Sequence, residues 1–398
     1  MKKIKTFNKK LKKEDRFYRI IVLILRPFLP LRYNITKNNS EILKREEPYL
    51  IIGNHVMADD PIIINSHSNR LIRYIASDTN YDTYWKKFFL NLGGAIPFSK
   101  GNKDFKAVKQ LLRLSKADKP VGIYPEGGRC WSGETEEIIY STAKLIKMLR
   151  IPVYSAIMKG GYLKKPRWAQ YYRKGKIFLD YEVLFEKKQI KKMSEEEIYE
   201  QMKNGIYHNE YEWQRKNKIK FKGKNKAEHI ERLLYMCPKC KGIDTIYSQG
   251  DLFSCKSCSE SWSIDDYGFI KGDYFEDTVH WNKWQKDILY GYLKREKIEI
   301  ITQEISFQKF NKEGKKTLEQ MVNVVLSSKS LKINGQNIDE ILYIENIKAF
   351  SITLLDIFEF YNNQDEKYRI IFNPKKNPSI IFFLETLKHY TGRKRNER

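Results

Sequence analysis

Between residue 48 and about residue 185, short apolar runs alternate with stretches of helical periodicity, and this alternation limits the fold more than any other feature. "PYLIIGN", "LIRYIAS", "GAIPFS", "PVGIYPEGG" and "IPVYSAIMKG" read as strands. Between them, "DPIIINSHSNRL", "TYWKKFFLNLG", "KDFKAVKQLLRLSK" and "EEIIYSTAKLIKMLR" read as helices, the first capped by Asp60 with Pro61 at its first position. Such an order predicts an α/β fold, a largely parallel sheet flanked by helices. In such folds functional side chains gather at the carboxyl ends of the strands.

Two segments of this region carry chemistry. In "NHVMADD", His55 is followed five positions later by Asp60. A carboxylate that accepts from one imidazole nitrogen fixes the tautomer and raises the basicity of the other. The second segment, "GIYPEGGRCWSGE", sets Glu126 and Arg129 around a Gly127-Gly128 turn directly after a strand. Glycines let the backbone approach an anion closely, and the guanidinium is a fork matched to phosphate.

With these residues in place, the chain resembles the glycerolipid acyltransferase family, the lysophosphatidic acid acyltransferases and their relatives. Four motifs of that family occur in order. Asn54, His55 and Asp60 match the first, N-H-x4-D; "GAIPFSKGN", Gly94–Asn102, stands for the second; "YPEGGRC", Tyr124–Cys130, for the third; and "RIPVYSAIMKG", with Pro152, for the fourth. The resemblance spans roughly residues 15–215. It implies that His55, oriented by Asp60, takes the proton of a lysophospholipid hydroxyl, most simply that of 1-acyl-sn-glycerol-3-phosphate. That hydroxyl then attacks an acyl-CoA or acyl carrier protein thioester, with no catalytic cofactor. It further implies that Lys100, Glu126, Gly127, Gly128 and Arg129 bind the acceptor, Arg129 holding its phosphate. Three positions depart from the family pattern. Lys100 stands for a usual Arg, and Gly128 and Cys130 replace Thr and Ser. Acceptor identity, rather than reaction type, hangs on them. Cys130 reads as a small turn residue rather than a nucleophile, although an adjacent cation lowers a thiol's pKa.

The formal net charge of +25 calls for an anionic partner. Its distribution points to a membrane. "MKKIKTFNKKLKKEDR" holds eight Lys or Arg against two acids and is followed by "FYRIIVLILRPFLPLRY". The apolar run Ile20–Leu25 is far short of the roughly 20 residues a bilayer span needs. No signal-peptide cleavage pattern follows it. A basic arm joined to a short apolar helix is expected to lie on an anionic membrane as a peripheral anchor at its cytoplasmic face.

Further along, "CPKCKGIDTIYSQGDLFSCKSCSESW" places Cys237, Cys240, Cys255 and Cys258 as two C-x2-C pairs fourteen residues apart. That spacing predicts a structural Zn²⁺ ribbon with a closed four-thiolate shell and a reducing compartment. The few basic residues between the pairs argue against a nucleic-acid partner. "KIEIITQEISFQ", "AFSITLLDIFEFY" and "KYRIIFN" read as strands, and "NPSIIFFLETLKHY" as a closing helix, resembling a PH-like or GRAM-like barrel. The expected division is 1–47 for the arm and anchor, 48–227 for the acyltransferase unit ending in a basic linker, 228–285 for the ribbon and 286–398 for a β-rich unit. His67, His208, His229, His280 and His389 are expected at surface or packing positions. Two other readings compete: a lipid-binding scaffold built on an acyltransferase fold, and a zinc-ribbon nucleic-acid binder with an inactive acyltransferase relic.

Overall fold

A computed structural model describes residues 2–77, 84–98 and 105–392. The first sheet is built from β1 (Ile35–Asn38), β2 (Leu50–Gly53), β3 (Arg73–Ser77), β4 (Ile96–Phe98), β5 (Val121–Ile123), β6 (Val153–Lys159) and β7 (Ile177–Phe185). Their spatial order is β1-β7-β6-β2-β5-β3-β4, parallel throughout except for the antiparallel β6–β7 pair. The central strand reads as continuous apolar sequence, "LIIG", because both its faces are covered. Successive side chains go to opposite sides: Ile51 joins one core, Leu50 and Ile52 the other.

The helices of this part are α1 (Lys2–Leu25), α2 (Phe28–Tyr33), α3 (Asp60–His67), α4 (Tyr84–Leu92), α5 (Phe105–Lys116), α6 (Ser141–Leu149), α7 (Gly161–Lys164), α8 (Lys187–Lys192), α9 (Glu195–Ile206) and α10 (Glu210–Asn217). The chain leaves β2 through α3 toward β3, but leaves β5 through α6 in the opposite direction, toward β6. Adjacent strands whose connections diverge open a crevice at their carboxyl ends. Both chemistry-bearing segments emerge there.

Several expectations need correction. The basic arm is itself helical, so the apolar helix is longer than expected: α1 runs through both. Its two acids explain why it packs down. Glu14 and Asp15 accept from the buried Arg73 at 2.9 and 2.7 Å, and Asp15 also from Lys119 at 2.6 Å. Asp60 is the first residue of α3 rather than its cap, because its carboxylate turns back onto Val56 and Met57. The helix expected from Glu136 begins only at Ser141. Segment 215–226 contains the end of α10 and the fully buried Phe221, so it is wedged into the fold rather than loose. β1 and β7 had no counterpart among the expected strands.

Strands β8 (Ile246–Gln249), β9 (Leu252–Cys255), β10 (Ser261–Ile264) and β11 (Ile270–Lys271) form a small antiparallel sheet beside the cysteine pairs. Helix α11 (Thr278–Arg295) follows. The chain then enters β12 (Ile300–Phe310), β13 (Lys316–Leu326), β14 (Ser330–Gly335), β15 (Ile338–Tyr343), β16 (Ile347–Thr353), β17 (Ile357–Asn362) and β18 (Lys367–Ile371). These make a curled antiparallel sheet in the order β15-β14-β13-β12-β18-β17-β16, two meanders joined where β12 meets β18. The closing helix α12 (Ile380–Thr391) lays Phe383 edge-on against Phe358 and Phe372. "AFSITLLDIFEFY" is not one strand: it breaks at Leu354 into β16 and β17.

One hydrophobic core extends from Trp131 and Trp168 through the ribbon and α11 into the curled sheet. At its edge the buried Thr278 hydroxyl donates to the Ser132 carbonyl at 2.7 Å. The same hydroxyl lies 3.0 and 2.9 Å from those of Tyr162 and Tyr211.

Candidate active site

The loop after β2 is built around one carboxylate. Asp60 Oδ2 accepts the backbone N–H of Val56 at 2.7 Å and that of Met57 at 3.0 Å, and lies 3.0 Å from His55 Nδ1. Both carboxylate oxygens already accept main-chain amides, so Asp60 faces the ring as an acceptor, Nδ1 donates and the lone pair falls on Nε2. Asn54 fixes the base of the loop. Its side-chain amide donates to the Met158 carbonyl and accepts the Met158 N–H, both at 2.8 Å, tying β2 to β6. Gly53 permits that approach, since a Cβ there would overlap the Ala156 carbonyl oxygen.

The loop after β5 clasps the first. Glu126 Oε1 accepts the backbone N–H of His55 at 2.5 Å, and its Oε2 accepts the N–H of Glu136 at 2.7 Å. The Cys130 N–H donates to the His55 carbonyl at 2.8 Å. Glu136 in turn takes the Trp131 N–H at 3.1 Å. Glu136 is thus occupied with the site, and the Ile139 N–H donates to the Pro125 carbonyl at 2.9 Å, which is why α6 starts late. Gly127 turns the chain at φ 64°, a conformation that suits glycine. The Tyr124 ring stacks on the His55 ring, centroids 4.1 Å apart, and on Tyr74 behind it.

The electrostatics follow from this packing. Burial pushes the His55 pKa down and the Asp60 carboxylate pushes back; Arg129 and Arg167 add to the depression. Burial, then Glu126 and Glu136, push the Cys130 thiol well up, which disfavours a thiolate nucleophile. Lys165 is lowered to about 8 by burial and by neighbouring cations, Arg129 first among them.

The structure brings together His55, Asp60, Glu126, Gly127, Gly128 and Arg129; Lys100 lies outside the described residues. Glu126 faces backbone amides, where the sequence suggested substrate. Arg167, Trp131 and Glu136 complete the surroundings and were not anticipated. The Arg167 guanidinium lies over the Trp131 ring, 4.2 Å from its centroid. Among the other histidines, His67 is buried against the Tyr181 hydroxyl at 2.7 Å. His280 pairs with Asp277 at the start of α11, and His389 stacks on Tyr290.

Away from this crevice, the sulfur atoms of Cys237, Cys240, Cys255 and Cys258 all lie within 4.8 Å of one another, with pairs at 3.6 and 3.7 Å. A tetrahedral metal with ~2.3 Å bonds to sulfur needs S···S edges of about 3.8 Å, so the cluster could hold one.

On the outer surface, Ile20, Leu23, Ile24, Phe28 and Leu31 are exposed along α1 and α2, Leu31 at 82%. Helix α4, packed against α1, adds an exposed chain of edge-to-face aromatics, Tyr84, Trp85, Phe88 and Phe89. Among the described residues no helix is long and apolar enough to cross a membrane.

Residues 34–159 match the family model described as Acyltransferase. No curated protein matches the chain. Among solved structures, the 1-acyl-sn-glycerophosphate (LPA) acyltransferase PlsC from Thermotoga maritima is 16% identical. That likeness covers 49% of this chain and 78% of that one, with a TM-score of 0.40. The N-terminal PH domain of human ARAP2 is 15% identical over 25% of this chain and 88% of its own, with a TM-score of 0.19.

Proposed function

We propose that this chain, whose residues 34–159 form an acyltransferase-family domain, moves a fatty acyl group from a thioester to the free hydroxyl of a lysophospholipid. The observation that carries this reading is the His55 Nδ1–Asp60 pair at the carboxyl end of β2, beside Arg129. Nε2 of His55 removes the proton of the acceptor hydroxyl, whose oxygen attacks the thioester carbonyl. The C–O bond forms, the C–S bond breaks, and the departing thiolate takes the proton back from the imidazolium. Base assistance of this kind supplies about 10²–10⁴-fold. Asp60 orients the base, and Glu126 holds the main chain of His55 in place. Gly127 and Gly128 open the turn, and Arg129 binds the acceptor's phosphate with help from Lys100. The acceptor is 1-acyl-sn-glycerol-3-phosphate, the product phosphatidic acid, and the donor acyl-CoA or acyl carrier protein.

The cysteine cluster holds a structural Zn²⁺ through four thiolates; closed in this way, the ion supplies bracing rather than chemistry. The exposed apolar residues of α1, α2 and α4, beside the basic half of α1, support peripheral attachment to an anionic bilayer at its cytoplasmic face.

The test is acyl transfer by purified protein in detergent, offering several lysolipids with acyl-CoA or acyl carrier protein, and His55→Ala as control. Transfer to lysophosphatidic acid that vanishes in H55A supports the full reading. Transfer to another lysolipid keeps the mechanism and replaces the acceptor. His55-independent turnover, or none with either donor, ends it.

A further inference from the structure

The curled C-terminal sheet reaches the crevice at the break between β16 and β17. Leu354 there has φ 55°, a left-handed conformation unfavourable for a bulky side chain, which is 44% exposed and gains little by burial. Its carbonyl is what the conformation delivers. The Leu354 oxygen accepts from Arg129 Nη2 at 3.1 Å and from Arg167 Nη2 at 3.4 Å, and the Ile352 oxygen accepts from Arg167 Nη2 at 3.1 Å. Arg167 Nη1 donates to the Arg129 carbonyl at 2.6 Å. The far end of the turn is pinned, since Arg232 clasps the Asp356 carboxylate with Nε at 2.6 Å and Nη2 at 2.8 Å. Two guanidiniums therefore converge on one neutral oxygen, an arrangement that fixes a flexible Arg129 side chain without neutralising it.

Resting on the acyltransferase reading, we propose that Arg167 and the β16–β17 turn are positioning elements for Arg129. They hold its fork at the height that selects an acceptor bearing a phosphate. The C-terminal sheet thus completes the acceptor side of the crevice. A guanidinium already ordered loses less freedom when it meets a phosphate, so the gain belongs to acceptor binding rather than to the chemical step.

The chemistry of the turn supplies its own control. Leu354→Gly keeps the left-handed conformation at no steric cost, whereas Leu354→Pro cannot adopt it and must swing the carbonyl away. L354P is expected to raise the KM for lysophosphatidic acid about tenfold, the scale of one charge-assisted hydrogen bond. The kcat and the donor KM should stay within about twofold, and discrimination against neutral monoacylglycerol should fall with the acceptor KM. L354G should behave as the parent, and Arg167→Met should reproduce L354P. The double variant should be no worse than either single one, because both act through Arg129. Equilibrium binding of lysophosphatidic acid in detergent reads the same comparison without turnover.

An unchanged acceptor KM in L354P and R167M, beside a parent that turns over, overturns this proposal and leaves the acyltransferase reading standing. A lower KM in L354P would make the turn a plug and overturn it too. A parent that neither turns over nor binds the phosphate-bearing lysolipid overturns both.

Discussion

Glu126 holds His55 by the main chain, its Oε1 2.5 Å from the backbone nitrogen, while the imidazole is left to Asp60 and the Tyr124 ring. Height and tautomer of the imidazole are thus set by different acids. Glu126→Gln would turn an NH2 group against one of the two amides. The loss of a buried acceptor should cost about 1–3 kcal/mol of stability. A base displaced by an ångström should cost roughly 10²-fold in kcat. Thermal melts beside steady-state kinetics check both; a variant unchanged in each would mean the carboxylate is idle.

Because burial depresses the His55 pKa, the ring stays neutral, and able to accept a proton, below its ordinary value near 6.5. The acid limb of kcat/KM should therefore fall at lower pH than an exposed histidine would give. Asp60→Asn removes the charge that opposes the depression, so the limb should move lower still while the rate at its plateau drops. A pH–rate profile with an acid midpoint above 6.5 would contradict this.

His67 gives a stability counterpart. Burial first, then Lys37 and Arg26, lower its pKa from 6.5 to about 4. A folded-state pKa below the unfolded one means the unfolded chain binds more protons between those values. The contribution is whole above 6.5 and is lost as pH falls toward 4, about 3 kcal/mol across the window. Urea unfolding of His67→Gln should show a flatter slope there than the parent; equal slopes would place the titration elsewhere.

The cysteine cluster should bring about one Zn²⁺ per chain, measurable by elemental analysis. Cys255→Ser or a strong chelator should remove it and lower the melting temperature, because Cys237 and Cys255 are buried in the core shared with α11. Acyl transfer by surviving folded protein should persist. Metal-free protein with an unaltered melt would remove the bracing role.

Leu23→Glu and Trp85→Glu, on exposed faces of α1 and α4, should weaken co-sedimentation with anionic vesicles severalfold without altering the melt. Binding that survives both changes and high salt would point to another attachment face.

The site was legible where its chemistry is local. His55 and Asp60 lie five residues apart, and Glu126 to Arg129 are contiguous, so spacing alone exposes them. Arg167 was not legible, because what gives it meaning is a pair of carbonyls some 185 residues later. Nor was the break at Leu354: "SITLLDIFEF" offers no Gly, Pro or Asn to mark a turn, and Leu354 itself sits among apolar neighbours suited to a strand. β1 escaped notice because Ile35–Asn38 is short and polar at three of its four positions, and is a strand only through its pairing with β7. The late start of α6 has the same cause. Glu136 has helical company in sequence, but its backbone and carboxylate are committed to the crevice.

The Thr278 hydroxyl, bound to the Ser132 carbonyl and flanked by the Tyr162 and Tyr211 hydroxyls, makes the front half of this protein a poor candidate for life on its own. Truncation before α11 would strip three buried polar groups of a shared partner, one of them the Ser132 carbonyl three residues from Arg129. It would also open the core that Trp131 and Trp168 share with the ribbon. Heating should therefore melt the crevice and the C-terminal half in one cooperative transition, and a transplant of the front segment into another protein would have to bring α11 with it.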